Sequence, residues 1–152
     1  DQDWEQIKII DESGLGLYNA NCSLAKVKDQ INGEFVYILD DDDYITDPAF
    51  VCDIRRLAKN QICDIIIVKF QWTSGIILPR QKFWKHVPCK GEIGTLNFVV
   101  RSEIWKKHID AFCKPKCGDY FFIRELFNQQ YSIFWYDKVV AAIQRVSGGR
   151  PE

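Results

Sequence analysis

The sequence predicts an α/β domain with a mixed, mostly parallel sheet flanked by helices. Three observations point there. Apolar runs rich in β-formers alternate with segments whose apolar residues recur at helical spacing. One such run, Ile65-Ile66-Ile67-Val68, has no polar interruption, as a strand buried on both faces requires. Another, residues 35–39, ends in four consecutive aspartates, Asp40 to Asp43. A loop at the carboxyl end of a strand in an open α/β sheet is where ligands dock.

With 152 residues the chain can form one domain with a sizeable core. Charged residues make up 27% and apolar ones 47%, an ordinary globular balance. A formal net charge of −1 gives no basis for nucleic acid or an anionic membrane as partner. No apolar run approaches the roughly 18 residues of a transmembrane segment, and no signal-peptide pattern is visible. The cysteines at 22, 52, 63, 89, 113 and 117 lack a CxxC pair. Cys113 and Cys117 flank Lys114-Pro115-Lys116, but neither His86 nor His108 is spaced to complete a zinc site. Free or buried thiols in a reducing, cytoplasmic setting are therefore expected. The absence of methionine suggests a trimmed or processed piece.

In chain order, residues 6–10 read as a short strand that delivers the chain to Asp11-Glu12-Ser13-Gly14. Gly14-Leu15-Gly16 lacks the third glycine of a dinucleotide fingerprint. Leu24, Val27 and Ile31 have helical spacing, so residues 19–30 read as a helix that Asn32-Gly33 stops. The strand at 35–39 follows. Asp47-Pro48 supplies an N-cap and a first-turn proline for a helix with an apolar face of Phe50, Val51, Ile54, Leu57 and Ala58, closing at Asn60. Residues 62–70 form the strand around the Ile-Ile-Ile-Val run. Residues 74–94, broken by Gly and Pro and holding Trp84, His86 and several lysines, read as irregular and partly exposed. Residues 96–100 are another strand. Ser102 caps a short helix to Lys107-His108, whose basic end suits the helix dipole. After a loop at 113–117, Gly118-Asp119 opens a helix through Phe122, Ile123, Leu126 and Phe127. Two β-rich runs, 132–136 and 139–144, precede a flexible tail at 147–150. There are no repeats and no low-complexity tract.

Four adjacent anions repel one another, so a folded state tolerates them only if they are solvated, protonated or neutralised by a cation. Hard divalent cations prefer oxygen, and Mg²⁺ or Mn²⁺ is often held by one or two carboxylates together with a substrate diphosphate. Asp40 to Asp43 therefore read as a metal-diphosphate site, with a solvated acidic turn as the competing reading. Asp119, at the start of a helix, has its anionic form favoured by the dipole; a plain N-cap aspartate is its alternative.

A resemblance rests on Trp4-Glu5, Ile9-Ile10-Asp11-Glu12-Ser13, Asn21 and Gly33-Glu34-Phe35-Val36-Tyr37-Ile38-Leu39-Asp40-Asp41-Asp42-Asp43, in that order. Together they resemble the GT-A glycosyltransferases of the family 2 type. Those proteins have a strand ending in an Asp-x-Ser loop, then a helix, then a Gly-Glu-strand-Asp-x-Asp-Asp unit with its DXD motif. Gly118-Asp119-Tyr120 resembles the later acidic position that supplies the catalytic base in inverting members. Gly94-Thr95-Leu96-Asn97 with Arg101-Ser102 resembles the strand before it. The resemblance covers most of the chain and implies a single GT-A-like domain over residues 1–152 that lacks the family's first strand.

It further implies metal-dependent, inverting transfer of a sugar from a nucleotide-sugar donor to a hydroxyl of a glycan or other acceptor. Asp11 and Ser13 would contact the nucleotide, Asp40 and Asp41 the ribose and diphosphate region, and Asp42 would ligate Mn²⁺ or Mg²⁺. Asp119 would deprotonate the acceptor hydroxyl. Trp84 and Tyr120 would contact the acceptor; Trp72 and Trp105 are further candidates for stacking on a sugar, although Trp105 within a helix reads as core. Ala20 stands where the family often has a basic residue, and only Arg145 to Arg150 represent the donor-side loop near the end. An oligomer in which a partner supplies the missing strand is compatible with this pattern.

Competing functions are fewer. A haloacid-dehalogenase-type phosphatase also has an apolar strand ending in Asp-x-Asp, with Asp40 as nucleophile. It wants Thr or Val two places after the second Asp, where this chain has Tyr44. An EF-hand starting at Asp40 would put its required Gly on Ile45 and its required Glu on Val51. A GT-A-like domain that binds a partner or glycan without turnover is the remaining alternative.

Overall fold

The computed structural model describes residues 4–10, 16–60 and 63–144. Their helices and strands, in chain order, begin with α1 (Leu17–Lys26), β1 (Phe35–Tyr37), β2 (Asp43–Ile45) and α2 (Phe50–Lys59). Next come β3 (Ile65–Gln71), β4 (Ile77–Leu78), β5 (Phe98–Arg101), α3 (Ser102–His108), α4 (Gly118–Asn128) and β6 (Ile133–Ile143).

The Ile-Ile-Ile-Val run does lie in the centre. Among the described residues the sheet has six strands in the order β1-β5-β3-β6-β2, with β4 also on β3. Ile65, Ile66, Ile67 and Val68 have no exposed surface. Alternate side chains point to opposite faces of a strand. Ile65 and Ile67 accordingly pack with Phe98, Trp105, Phe122, Ile123 and Leu126 beneath α3 and α4. Ile66, Val68 and Phe70 pack with Phe50, Leu57, Val99 and Val140 on the α2 side. No helix among the described residues is long and apolar enough to cross a membrane.

The expected parallel character is corrected. Among the described residues only β3 and β6 pair in parallel; β1 with β5, β2 with β6, β3 with β4 and β3 with β5 are antiparallel. Parallel neighbours need a crossover, and α3 and α4 supply one between β3 and β6. The chain leaving β3 instead turns back at 72–76 into β4, antiparallel on β3, and after 79–97 returns to the sheet as β5, also antiparallel to β3.

Other elements differ locally. Residues 6–10 form no strand: Ile9 and Ile10 are exposed and only Ile7 packs against the core. The two β-rich runs near the end are one strand, β6, whose register against β3 shifts around Lys69. At that irregularity Lys69 pairs with Asp137. Asp47 acts ahead of α2, its Oδ1 accepting the Ala49 N–H at 2.9 Å. Ser102 does not cap α3; its hydroxyl donates to the Gly33 carbonyl and ties α3 to the start of β1. The irregular 79–94 segment is held by Glu92, which is buried and accepts from Arg80 Nε at 2.7 Å and from the Arg80 backbone N–H at 3.1 Å. Cys22 and Cys113 are joined in a disulfide across 91 residues rather than left as thiols, so the reducing setting inferred from free thiols loses that support.

Candidate active site at the carboxyl end of the sheet

β1 and β2 lie at opposite edges of the sheet, so the acidic run between them crosses its end. β1 runs in the direction of β3, and β2 returns antiparallel to β6. The aspartates therefore sit beyond the carboxyl ends of β3 and β6. The turn closes on itself: the Asp43 N–H donates to the Asp40 carbonyl at 3.1 Å, and the Asp40 N–H to Asp43 Oδ2 at 2.9 Å. The Gln144 N–H fixes it to the end of β6 through the Asp42 carbonyl at 2.7 Å.

Crowding raises proton affinity here. Burial pushes the Asp43 carboxyl up to about 7; the Asp40 N–H opposes this, and the charges of Asp40, Asp42 and Asp41 add to it. Asp40 is also raised, by desolvation first and then by the charges of Asp42, Asp41 and Asp119. Asp119 is thus close enough to the turn to act on it electrostatically, despite its distance in sequence.

Four features set Asp119 there. The chain runs from α4 straight into β6, so the helix runs back along the strand and begins near the carboxyl end of the sheet. Cys117 precedes it in a left-handed conformation (φ 56°, ψ 38°), and no side chain caps the helix. A Cβ on Gly118 would lie 2.1 Å from the Phe112 carbonyl oxygen and 3.0 Å from Asn21 Nδ2, so the close approach requires glycine. Asn21 Nδ2 donates to the Lys114 carbonyl at 2.8 Å, and the neighbouring Cys22 is bonded to Cys113. Helix α1 thereby clamps the loop that presents Asp119.

On the other side stands Gly94, where an added Cβ would be 3.5 Å from Asp119 Oδ2. The fully buried Asn97 holds that glycine, its Oδ1 accepting the Gly94 N–H at 2.8 Å. Its Nδ2 donates to the carbonyls of Val68 at 3.0 Å and Leu78 at 2.9 Å. Asp119 Oδ1 accepts the Tyr120 N–H at 2.7 Å. Burial raises its carboxyl above the ordinary range, and backbone N–H groups partly offset that.

The remaining candidates are distributed as follows. Tyr120 is half-buried beside Asp119. Trp84 is only 6% exposed, edge-on to Trp135 with ring centroids 5.0 Å apart, and the Lys69 ammonium sits 4.6 Å from its ring. A stacking platform needs an open face, so Trp84 is corrected from acceptor contact to core residue. Trp105 is core, as expected, and Trp72 is 46% exposed. Asp11, Ser13 and residues 145–150 lie outside the described residues. Among the described residues, no three His, Cys, Asp or Glu side chains converge as a ready-made metal cage. Sequence reasoning missed Gly118 and the Cys22–Cys113 link as positioning features. Their partners are remote in sequence, and no local pattern marks them.

No protein-family profile and no curated protein sequence matches the chain. Solved structures do. The glycosyltransferase TarS of S. aureus, residues 1–349 in complex with UDP-GlcNAc, superposes with a TM-score of 0.62 at 18% identity, covering 82% of this chain and 38% of that one. The structure titled TarS 1–349 gives 0.59 at 19% identity over 79% of this chain and 38% of that one. A further S. aureus TarS structure gives 0.57 at 17% identity over 83% of this chain and 24% of that one. The chain thus spans 38% of the first two structures. The likeness is one of fold: this is a mixed α/β domain whose fold is similar to part of TarS.

Proposed function

We propose that this chain is a glycosyltransferase domain that moves a sugar from a nucleotide-sugar donor to an acceptor hydroxyl, with inversion and with Mn²⁺ or Mg²⁺. The observation that carries this reading is the approach of Asp119 to the 40–43 turn, in a fold shared with a protein solved with UDP-GlcNAc.

The donor set suits a hard cation. It offers carboxylate oxygens only; burial first and mutual repulsion second raise the proton affinity of Asp40 and Asp43, and a cation would offset both costs. One or two carboxylates with a diphosphate make a complete site, so a protein cage of three ligands is not needed. Asp42 is the metal ligand in this reading, with Asp40 and Asp41 on the ribose and diphosphate side. Asp43 closes the turn. When bound, the cation stabilises the charge that develops on the departing diphosphate.

Asp119 takes the proton of the attacking hydroxyl. Its Oδ1 is occupied by the Tyr120 N–H, so Oδ2, which faces Gly94, is the proton acceptor. Burial makes it a stronger base than a solvated aspartate. A base on one side of the reacting carbon and a leaving diphosphate on the other gives inversion.

The test is a thermal-shift panel of UDP, GDP and UDP-GlcNAc with and without Mn²⁺, followed by transfer assays. A ligand that binds only the native state raises its melting temperature. Asp42→Asn is expected to remove the Mn²⁺-dependent part of the shift. Asp119→Asn is expected to lower transfer by about a hundredfold or more with donor binding unchanged. Full transfer by Asp119→Asn would overturn the base assignment, and no nucleotide shift at all would overturn the donor class.

A further inference from the structure

We infer that the cleft between Tyr44 and Trp72 is a binding site for a neutral sugar ring of the acceptor, an inference that rests on the glycosyltransferase reading above. The cleft is a product of register. Ile77, Gln71, Ala142 and Tyr44 stand opposite one another across β4, β3, β6 and β2, so their side chains share one face of the sheet. The small Ala142 lies between Gln71 and Tyr44 and leaves a depression with two taller walls. Thr73, Ser74, Gly75 and Ile143 complete the lining.

The far wall is a tight turn. The Trp72 N–H donates to the Ile76 carbonyl at 2.7 Å and the Gly75 N–H to the Trp72 carbonyl at 2.8 Å. Gly75 sits at φ +86°, which a residue with a side chain adopts only with strain. Trp72 leans edge-on against Phe70, with centroids 6.1 Å apart. It is still 46% exposed, and Tyr44 is 47% exposed.

The lining selects the ligand. Two exposed aromatic rings suit the apolar C–H face of a pyranose, and the Gln71 amide with the Thr73 and Ser74 hydroxyls can donate and accept for its hydroxyl rim. No lining side chain carries a charge. That composition offers a phosphate no cationic partner. The cleft also abuts the proposed donor site, because Asp43 and Tyr44 are consecutive in β2 and the Gln144 N–H joins the end of β6 to the turn.

The experiment titrates methyl pyranosides of glucose, galactose and N-acetylglucosamine, and their neutral trisaccharides, into the chain by isothermal calorimetry, a readout that does not depend on Trp72. UDP-GlcNAc with Mn²⁺ is titrated in parallel. A saturable change at millimolar sugar is expected, weakened at least about fivefold by Trp72→Ala and by Tyr44→Ala, with nucleotide affinity unchanged. Both side chains are exposed, and circular dichroism checks that the variants remain folded. Donor binding without any saccharide response, or with variants that bind saccharide like the parent, overturns the cleft assignment alone. Saccharide binding lost in both variants, with no nucleotide binding, upholds the sugar cleft and overturns the transferase reading.

Discussion

The segment that presents Asp119 is held by a disulfide, a side-chain hydrogen bond from Asn21 and a glycine with no room for a methyl group. The 40–43 turn is held by three hydrogen bonds, and its carboxylates oppose one another. The difference follows the work each is proposed to do. A general base has to stand at a fixed place before the acceptor arrives. A cation site gains from ligands that repel until the ion comes, since binding then relieves the repulsion.

The sharpest way to break the comparison is at Gly118. A Cβ there would overlap the Phe112 carbonyl, and backbone cannot swing aside like the end of a side chain. Gly118→Ala is expected to destabilise by about 3 kcal/mol, read as a lower urea midpoint. A midpoint equal to the parent's would show that the loop is more yielding than argued. Opening the disulfide comes next. Cys22→Ser is expected to cost about 2 to 4 kcal/mol and to remove the sensitivity of the parent's midpoint to a reductant; a parent indifferent to reductant would refute the link.

The turn's own contribution is a dependence on pH. Asp43 holds its proton up to about 7 in the folded chain, against about 3.9 for an unfolded aspartate. Between those values the native state binds the extra proton, so stability falls as pH rises. The contribution is complete below about pH 4 and gone above about pH 7. Melting temperatures of the parent and Asp43→Asn, compared across this range, should show a shallower decline in the variant. Parallel curves would mean that Asp43 is not strained.

Much of this was legible in the residues themselves. The Ile-Ile-Ile-Val run told of a strand covered on both faces, and the spacing of Phe122, Ile123 and Leu126 told of the helix that covers one of them. The order of acidic positions pointed to a glycosyltransferase-like fold, and the chain superposes on part of TarS. What stayed hidden depends on partners. Strand direction is fixed by which edges meet, and nothing in residues 98–101 says that they will pair antiparallel on both sides. Residues 6–10 have strand composition but gain no neighbouring backbone. Cys22 and Cys113 look like two stray thiols until α1 and the loop before α4 are packed together. Trp84, ringed by charged residues in the sequence, looked exposed; the fold turns it inward against Trp135.

Because the chain passes from one border strand to the other by way of residues 38–42, that passage works as a strap over the mouth of the sheet. Its two ends are anchored in the two outer strands. A hairpin within a single border would touch only its own side, whereas this passage ties the two borders of the rim to each other.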